Sequence, residues 1–205
     1  ILGATGMLGH TLFERLSGHG GFDVHATARS AEGLSGFFPP RLVERIRAGV
    51  DTDNFDSVIR SVEEISPDVV INCIGIIKQS QLAKDPLTSI AVNSLFPHRL
   101  ALACKAVAAR MIHISTDCVF DGARGNYTEK DESNATDLYG RTKFLGEVYY
   151  PHCVTLRTSI IGHELKGGYG LIDWFLAQEG KIQGFTKAIY TGFPTVEIAK
   201  IISQY

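Results

Sequence analysis

Gly3, Gly6 and Gly9 recur at every third position within Ile-Leu-Gly-Ala-Thr-Gly-Met-Leu-Gly at the start of the chain. They follow an apolar pair and precede Leu8, Leu12, Phe13 and Leu16 at helical spacing, which describes a strand that turns sharply into a helix. Gly3 permits the tight turn, Gly6 lets backbone N–H groups approach a pyrophosphate, and Gly9 lets the helix lie close to the sheet. Thr5, Met7 and Leu8 share the turn and are candidate cofactor contacts with Gly3 and Gly6. The spacing differs from Gly-x-Gly-x-x-Gly, and a plain strand-to-helix turn is the alternative reading. A buried parallel strand needs about five residues, so Ile1-Leu2 are expected to be the end of a longer first strand.

Short β-rich apolar runs then alternate with amphipathic helical stretches. Strands are expected at residues 23–27, 47–50, 69–72, 111–115 and 153–157. Phe55, Val58, Ile59, Val62 and Ile65 mark one helix, and a longer helical stretch is expected over residues 88–109. Residues 30–40, rich in Gly, Ser and Pro, read as an irregular loop. Near the end, Thr195 is expected to cap a helix over residues 196–204, with a further segment to follow. Right-handed crossovers make a doubly wound parallel sheet the economical α/β topology.

At 205 residues and 44% hydrophobic content the chain can bury one full core. A net charge of -2, with scattered Lys and Arg, gives no basic field for nucleic acid. No apolar run approaches the roughly 20 residues of a membrane span, so a soluble, cytoplasmic protein is expected. Cys73, Cys104, Cys118 and Cys153 lack metal-ligand spacing, so reduced, mostly buried thiols are expected rather than a zinc or disulfide site.

Tyr139 and Lys143 lie four residues apart, on one helix face, where they can act as a single acid. No acidic residue closes the second expected strand. Arg29 and Ser30 stand there instead and suit a 2′-phosphate, which favours NADP(H) while leaving NAD(H) open. Asp51, after the third strand, could accept from an adenine amino group; an ordinary helix-capping role for Asp51 or Asp53 is the equal alternative. His113 reads as a satisfied core histidine. Thr158 and Ser159, at a strand's carboxyl edge, are candidate contacts to nicotinamide or sugar, and Arg157 reads as structural. Residues 166–170 form a glycine-rich lid or surface loop, and Trp174 and Phe175 read as core or interface.

Five blocks occur in the order seen in extended short-chain dehydrogenases/reductases. They are Gly3 to Gly9; Asn72-Cys73-Ile74-Gly75; Ser115-Thr116-Asp117-Cys118-Val119-Phe120-Asp121-Gly122; Tyr139 to Lys143 with Gly146-Glu147; and Leu156-Arg157-Thr158-Ser159. Within that superfamily the chain most resembles dTDP-4-dehydrorhamnose reductases. The resemblance implies a Rossmann-type NAD(P)-binding domain over residues 1–157. Residues 158–205 would form a small, incomplete C-terminal substrate lobe mixed with returning Rossmann elements. It implies a catalytic triad of Thr116, Tyr139 and Lys143, cofactor contacts from Cys73, Ile74 and Gly75, and substrate contacts from Thr116, Asp117 and Cys118.

The chemistry agrees with that triad. Hydride transfer to a ketone builds charge on oxygen that Tyr139 can protonate and Thr116 can hydrogen-bond. Lys143 is expected to hold the nicotinamide ribose and to lower the phenol pKa. Position 118 is usually aromatic in these reductases, and Cys118 stands where related dehydratases carry a carboxylate, which disfavours dehydration. No His or basic cluster adjoins Cys118, against a nucleophilic role. The implied activity is NADPH-dependent reduction of a keto group on a nucleotide-activated deoxysugar for surface polysaccharide. An epimerase of the same superfamily and a non-catalytic NADP-binding regulatory subunit, as of methionine adenosyltransferase, are the alternatives. A homodimer is compatible with all three.

Overall fold

The computed structural model describes residues 1–168 and 170–204. The elements run α1 (Met7–Ser17), β1 (Ala26–Ala28), α2 (Leu34–Phe37), α3 (Pro40–Val43), β2 (Ile46–Ala48), α4 (Phe55–Ile65) and β3 (Val69–Asn72). After a 3₁₀ turn at Gln81–Lys84 come α5 (Pro86–Ser89), a π-helical segment (Ile90–Leu95), α6 (Phe96–Ala106) and β4 (Arg110–Ile114). A second 3₁₀ turn (Asp117–Val119) leads to α7 (Leu138–Leu145), β5 (Cys153–Leu156), β6 (Ile160–Ile161), α8 (Leu171–Leu176), β7 (Phe193–Pro194) and α9 (Thr195–Ile202).

Leu2 joins the two halves of the main sheet. Its backbone bridges in parallel to Thr27 on β1 and to Asn72 on β3. The Leu2 amide donates to the Ile71 carbonyl at 2.9 Å, and the Thr27 amide donates to the Ile1 carbonyl at 2.9 Å. β1 pairs with β2, β3 with β4, and β4 with β5, all parallel. The order across the sheet is therefore β2, β1, Leu2, β3, β4, β5, the doubly wound arrangement the alternating pattern calls for.

Adjacent residues feed opposite faces, as strand geometry requires. Ile71 buries with Leu8, Leu12 and Phe13 of α1 and Ile198 and Ile202 of α9. Its neighbour Val70 buries with Phe55 and Val58 of α4 and Leu100 and Cys104 of α6. A separate two-stranded parallel sheet, β6 with β7, sits in the C-terminal segment. α9 then returns to pack on α1, where the Thr11 hydroxyl donates to the Thr195 hydroxyl at 3.2 Å.

Several local expectations are corrected. Residues 30–40 contain α2 and the start of α3, because Leu34 and Phe38 bury against the α1 face and the Phe38 ring meets Phe13 edge-on. Thr195 is the first residue of α9 and does not cap it; its side chain is spent on Thr11 and on contact with Gly162. Trp174 and Phe175 are exposed, which removes the core half of their core-or-interface reading. Cys104 is the buried thiol, while Cys73, Cys118 and Cys153 are half-buried. The 166–170 stretch includes residue 169, which lies outside the described residues. No helix among the described residues is long and apolar enough to cross a membrane.

The glycine turn behaves as its spacing predicts. Gly3 has φ +89°, and a Cβ on Gly9 would stand 2.0 Å from the Gly3 carbonyl oxygen. Gly9→Ala should therefore cost at least about 2 kcal/mol of stability, read as a lowered urea midpoint. An unchanged midpoint would refute this packing.

Candidate active site

Because the main-sheet strands run parallel, their carboxyl ends meet at one edge, and the predicted site residues follow those ends. The glycine turn follows Leu2, Arg29 and Ser30 follow β1, and Asp51 follows β2. Cys73, Ile74 and Gly75 follow β3, Thr116 follows β4, and Thr158 and Ser159 follow β5. A cavity of about 600 Å³, lined by Asp23, Pro67, Arg110 and His152, opens at the opposite, amino-terminal edge and includes none of the triad.

The first turn of α1 is ready for an anion. Its N-cap is Gly6, which offers no side-chain oxygen, and no acidic residue occupies the turn, so no side chain caps or neutralises the leading amides. The Arg29 side chain is exposed, and the Ser30 hydroxyl accepts the Glu32 amide at 3.0 Å. The Asp51 carboxylate accepts the Asp53 amide at 3.1 Å, closing a local turn; neither residue caps α4, whose N-cap is Asn54. Burial pushes the Cys73 thiol up to about 12, which keeps it protonated and inert.

Two buried asparagines shape the loop after β3. Asn72 accepts the Ile74 amide at 3.1 Å and directs its own amide at His113 Nδ1, 3.1 Å away. Asn93 grips Ile76 twice, accepting its amide at 2.8 Å and donating to its carbonyl at 3.1 Å. Asn93 escaped the sequence reading. Its one signal is a lone amide side chain in the apolar run Ile90-Ala91-Val92.

The π-helical segment has a physical cause. Pro97 lacks the N–H that would bond the Asn93 carbonyl in an α-helix, so the helix widens at that point. α7 docks against this widened turn. A Cβ on Gly146 would stand 1.9 Å from the Asn93 carbonyl oxygen, and the Ser94 hydroxyl donates to the Thr142 carbonyl at 2.8 Å. The other end of α7 is equally close to its neighbour, since a Cβ on Gly140 would stand 2.4 Å from the Cys118 carbonyl oxygen. Asp137 caps α7 by accepting the Gly140 amide at 3.1 Å.

This docking assembles the triad. Thr116 is buried; its hydroxyl oxygen accepts the Cys118 amide at 3.1 Å and its proton points to Asp117 at 3.3 Å. Burial pushes the Tyr139 phenol up to about 12, while its hydrogen bond with Thr116 pulls the other way. The expected lowering of that phenol by Lys143 is not what the structure contains: the Lys143 ammonium donates to the Ile114 carbonyl at 2.7 Å. Burial brings Lys143 down to about 8, opposed by the charge of Glu147. The Lys143 Nζ lies 3.7 Å from where a Gly75 Cβ would be, so lysine and β3 loop face the same space.

On the far side of Thr116, Ser159 donates to the Asp117 carboxylate at 2.6 Å, which joins the two expected substrate-side residues. Thr158 turns its hydroxyl onto the Ser159 carbonyl at 2.8 Å. Cys118 is half-buried beside them, its thiol raised by burial.

A parallel sheet with a phosphate-binding turn, and a Thr, Tyr and Lys gathered at its carboxyl edge, defines a dinucleotide-binding fold of the short-chain dehydrogenase/reductase kind. The family signature described as the RmlD substrate binding domain matches residues 1–177, and the chain belongs to that family. It is 34% identical over 149 residues to a dTDP-4-dehydrorhamnose reductase of Mycolicibacterium smegmatis, an alignment covering 72% of this chain and 39% of that protein. The chain thus spans about two fifths of the length of the curated relatives it matches. Among solved structures, a hypothetical dTDP-4-dehydrorhamnose reductase from Sulfolobus tokodaii superposes with a TM-score of 0.80 at 27% identity, covering 99% of this chain and 70% of that one. A Bacillus anthracis dTDP-4-dehydrorhamnose reductase in complex with NADP superposes with a TM-score of 0.74 at 25% identity, covering 99% and 68%.

His113 is core, as expected, but only half satisfied: Asn72 meets Nδ1, while Nε2 is buried without a partner among the described residues. The ring is fully buried, and burial brings its pKa from 6.5 down to about 3. Unfolding therefore takes up a proton at this site below the unfolded pKa, so stability falls as pH drops from about 6.5 toward 3, by up to about 1.4 kcal/mol per unit. His113→Gln keeps an acceptor for Asn72 without titrating. Its urea midpoint should vary less between those pH values than that of the wild type, and equal slopes would contradict the assignment.

Proposed function

We propose that the protein reduces the keto group of a nucleotide-activated deoxysugar, dTDP-4-dehydrorhamnose or a close analogue, with NADPH as hydride donor. The observation that carries this reading is the convergence of Thr116, Tyr139 and Lys143 beside a glycine turn whose helix amides no side chain caps. The reductases that the chain resembles support it. Residues 1–157 would supply the cofactor domain and residues 158–205 part of the substrate lobe. α9 would belong to the former, since it packs on α1. The absence of a membrane-crossing helix among the described residues fits a cytoplasmic enzyme.

The residues present fit the cofactor. The α1 amides would receive the pyrophosphate, Arg29 and Ser30 the 2′-phosphate, and Lys143 with Cys73, Ile74 and Gly75 the nicotinamide ribose. When bound, the nicotinamide supplies hydride to the ketone carbon. Tyr139 is protonated throughout the physiological range, the state an acid needs to give its proton to the developing alkoxide. Thr116, fixed by the Cys118 amide and turned toward Asp117, orients the phenol and the ketone oxygen. Ser159 and Asp117 present a hydroxyl and a carboxylate to sugar hydroxyls on the same side.

NADPH oxidation at 340 nm with dTDP-4-dehydrorhamnose should fall about 10²- to 10⁴-fold in Tyr139→Phe. Intact turnover in that variant would remove Tyr139 as the acid. NADPH binding without turnover on any keto-sugar would favour the regulatory reading. Arg29→Ala should weaken NADPH about 10- to 100-fold, the worth of a charge-assisted hydrogen bond, and leave NADH unchanged. Equal losses for both cofactors would place the 2′-phosphate elsewhere.

A further inference from the structure

Glu147 is buried just past the end of α7, four residues beyond Lys143, and no step above uses it. Its carboxylate is saturated. One oxygen accepts the Ser115 hydroxyl at 2.8 Å and Arg157 Nε at 2.8 Å; the other accepts Arg157 Nη2 at 2.7 Å and the Tyr149 hydroxyl. Ser115 immediately precedes Thr116, and Arg157 immediately precedes Thr158 and Ser159. The Arg157 guanidinium also lies 5.2 Å from the centre of the Phe120 ring, on the far side of the Thr116 turn. One carboxylate thus fastens the end of the catalytic helix to both strand ends that carry the site's hydroxyls.

Stability alone is a poor reason for such a pair. Removing two charges from water costs about as much as their attraction returns, and well-packed apolar residues would hold α7 at least as firmly. Arg157 Nη1 is itself buried without a partner among the described residues, so the arrangement gives up a hydrogen bond as well. What an apolar pair cannot supply is direction: the two-pronged Arg157 contact and the Ser115 hydroxyl fix the carboxylate at one angle, and with it the end of α7.

We infer that Glu147 is a positioning residue: through Ser115 and Arg157 it locks the end of α7, and with it Tyr139, to the Thr116 turn. The inference rests on the NADPH-dependent reading. Its consequence is that turnover and cofactor affinity separate: loosening the clamp misaligns Tyr139 and Thr116 while NADPH still binds.

The test measures kcat, KM and NADPH dissociation by fluorescence on the full-length protein. Ser115→Ala removes one arm of the clamp, leaves the Glu147–Arg157 pair in place, and should lower kcat about tenfold at unchanged KM for NADPH. Glu147→Asp keeps the charge for Arg157 but draws the carboxylate back by one methylene, and should lower kcat at least as far while NADPH dissociation stays within about twofold of wild type. Wild-type kcat in either folded variant, or a loss of NADPH affinity that matches the loss of kcat, overturns the inference. Wild-type protein that binds no NADPH overturns the reductase reading and this inference with it.

Discussion

The close approach of α7 to the backbone on either side of it is the contact on which the site depends. Gly146 meets the Asn93 carbonyl and Gly140 meets the Cys118 carbonyl at distances that exclude any side chain. A helix held off by one methyl group at either end would carry Tyr139 away from Thr116 and Lys143 away from the β3 loop. Pro97 makes the first contact feasible by denying the Asn93 carbonyl its α-helical partner and widening the turn that α7 enters. The same widened turn carries the Asn93 side chain that grips Ile76. The loop after β3 and α7, which carry the proposed cofactor contacts and the proposed acid, are therefore referenced to a single irregular helical turn.

The sheet supplies the other half of the geometry. Leu2 sits between β1 and β3, so the glycine turn stands centrally at the carboxyl edge with the candidate binding residues to either side. On one side are Arg29, Ser30 and Asp51; on the other are the β3 loop, Thr116 and Ser159. Residues spread across the sequence thus gather along one edge, the place where open parallel sheets bind ligands. Burial at that edge then sets the charge states. The phenol is held protonated and the lysine is brought near neutrality, against the opposing charge of Glu147.

What could be read from the sequence was whatever is written in local spacing. The roles of Gly3 and Gly9, the shared face of Tyr139 and Lys143, and the parallel strands all follow from periods of two, three or four residues, and they stand in the structure. The irregular loop at 30–40 did not, because Leu34 and Phe38 gain order only by meeting Phe13, a contact no local pattern announces. Asn93, Gly140 and the grip of Glu147 on Ser115 and Arg157 were invisible for the same reason. Each acts on a partner distant in sequence, and an isolated Asn, Gly or Glu carries no period. The Tyr139 phenol shows a subtler limit: its predicted lowering by Lys143 considered the charge but not the burial, and burial dominates.

On the proposed reading, Thr116, Tyr139 and Lys143 would reduce a keto-sugar once; on the epimerase alternative they would oxidise and reduce it in turn while the cofactor stays bound. The most direct discrimination is the fate of the hydride, followed with NADPH deuterated at the transferred position of the nicotinamide and dTDP-4-dehydrorhamnose as acceptor. The reductase account predicts one deuterium on the product's former carbonyl carbon for each oxidised cofactor released. Product formed without net cofactor oxidation, or without deuterium at that carbon, would contradict it.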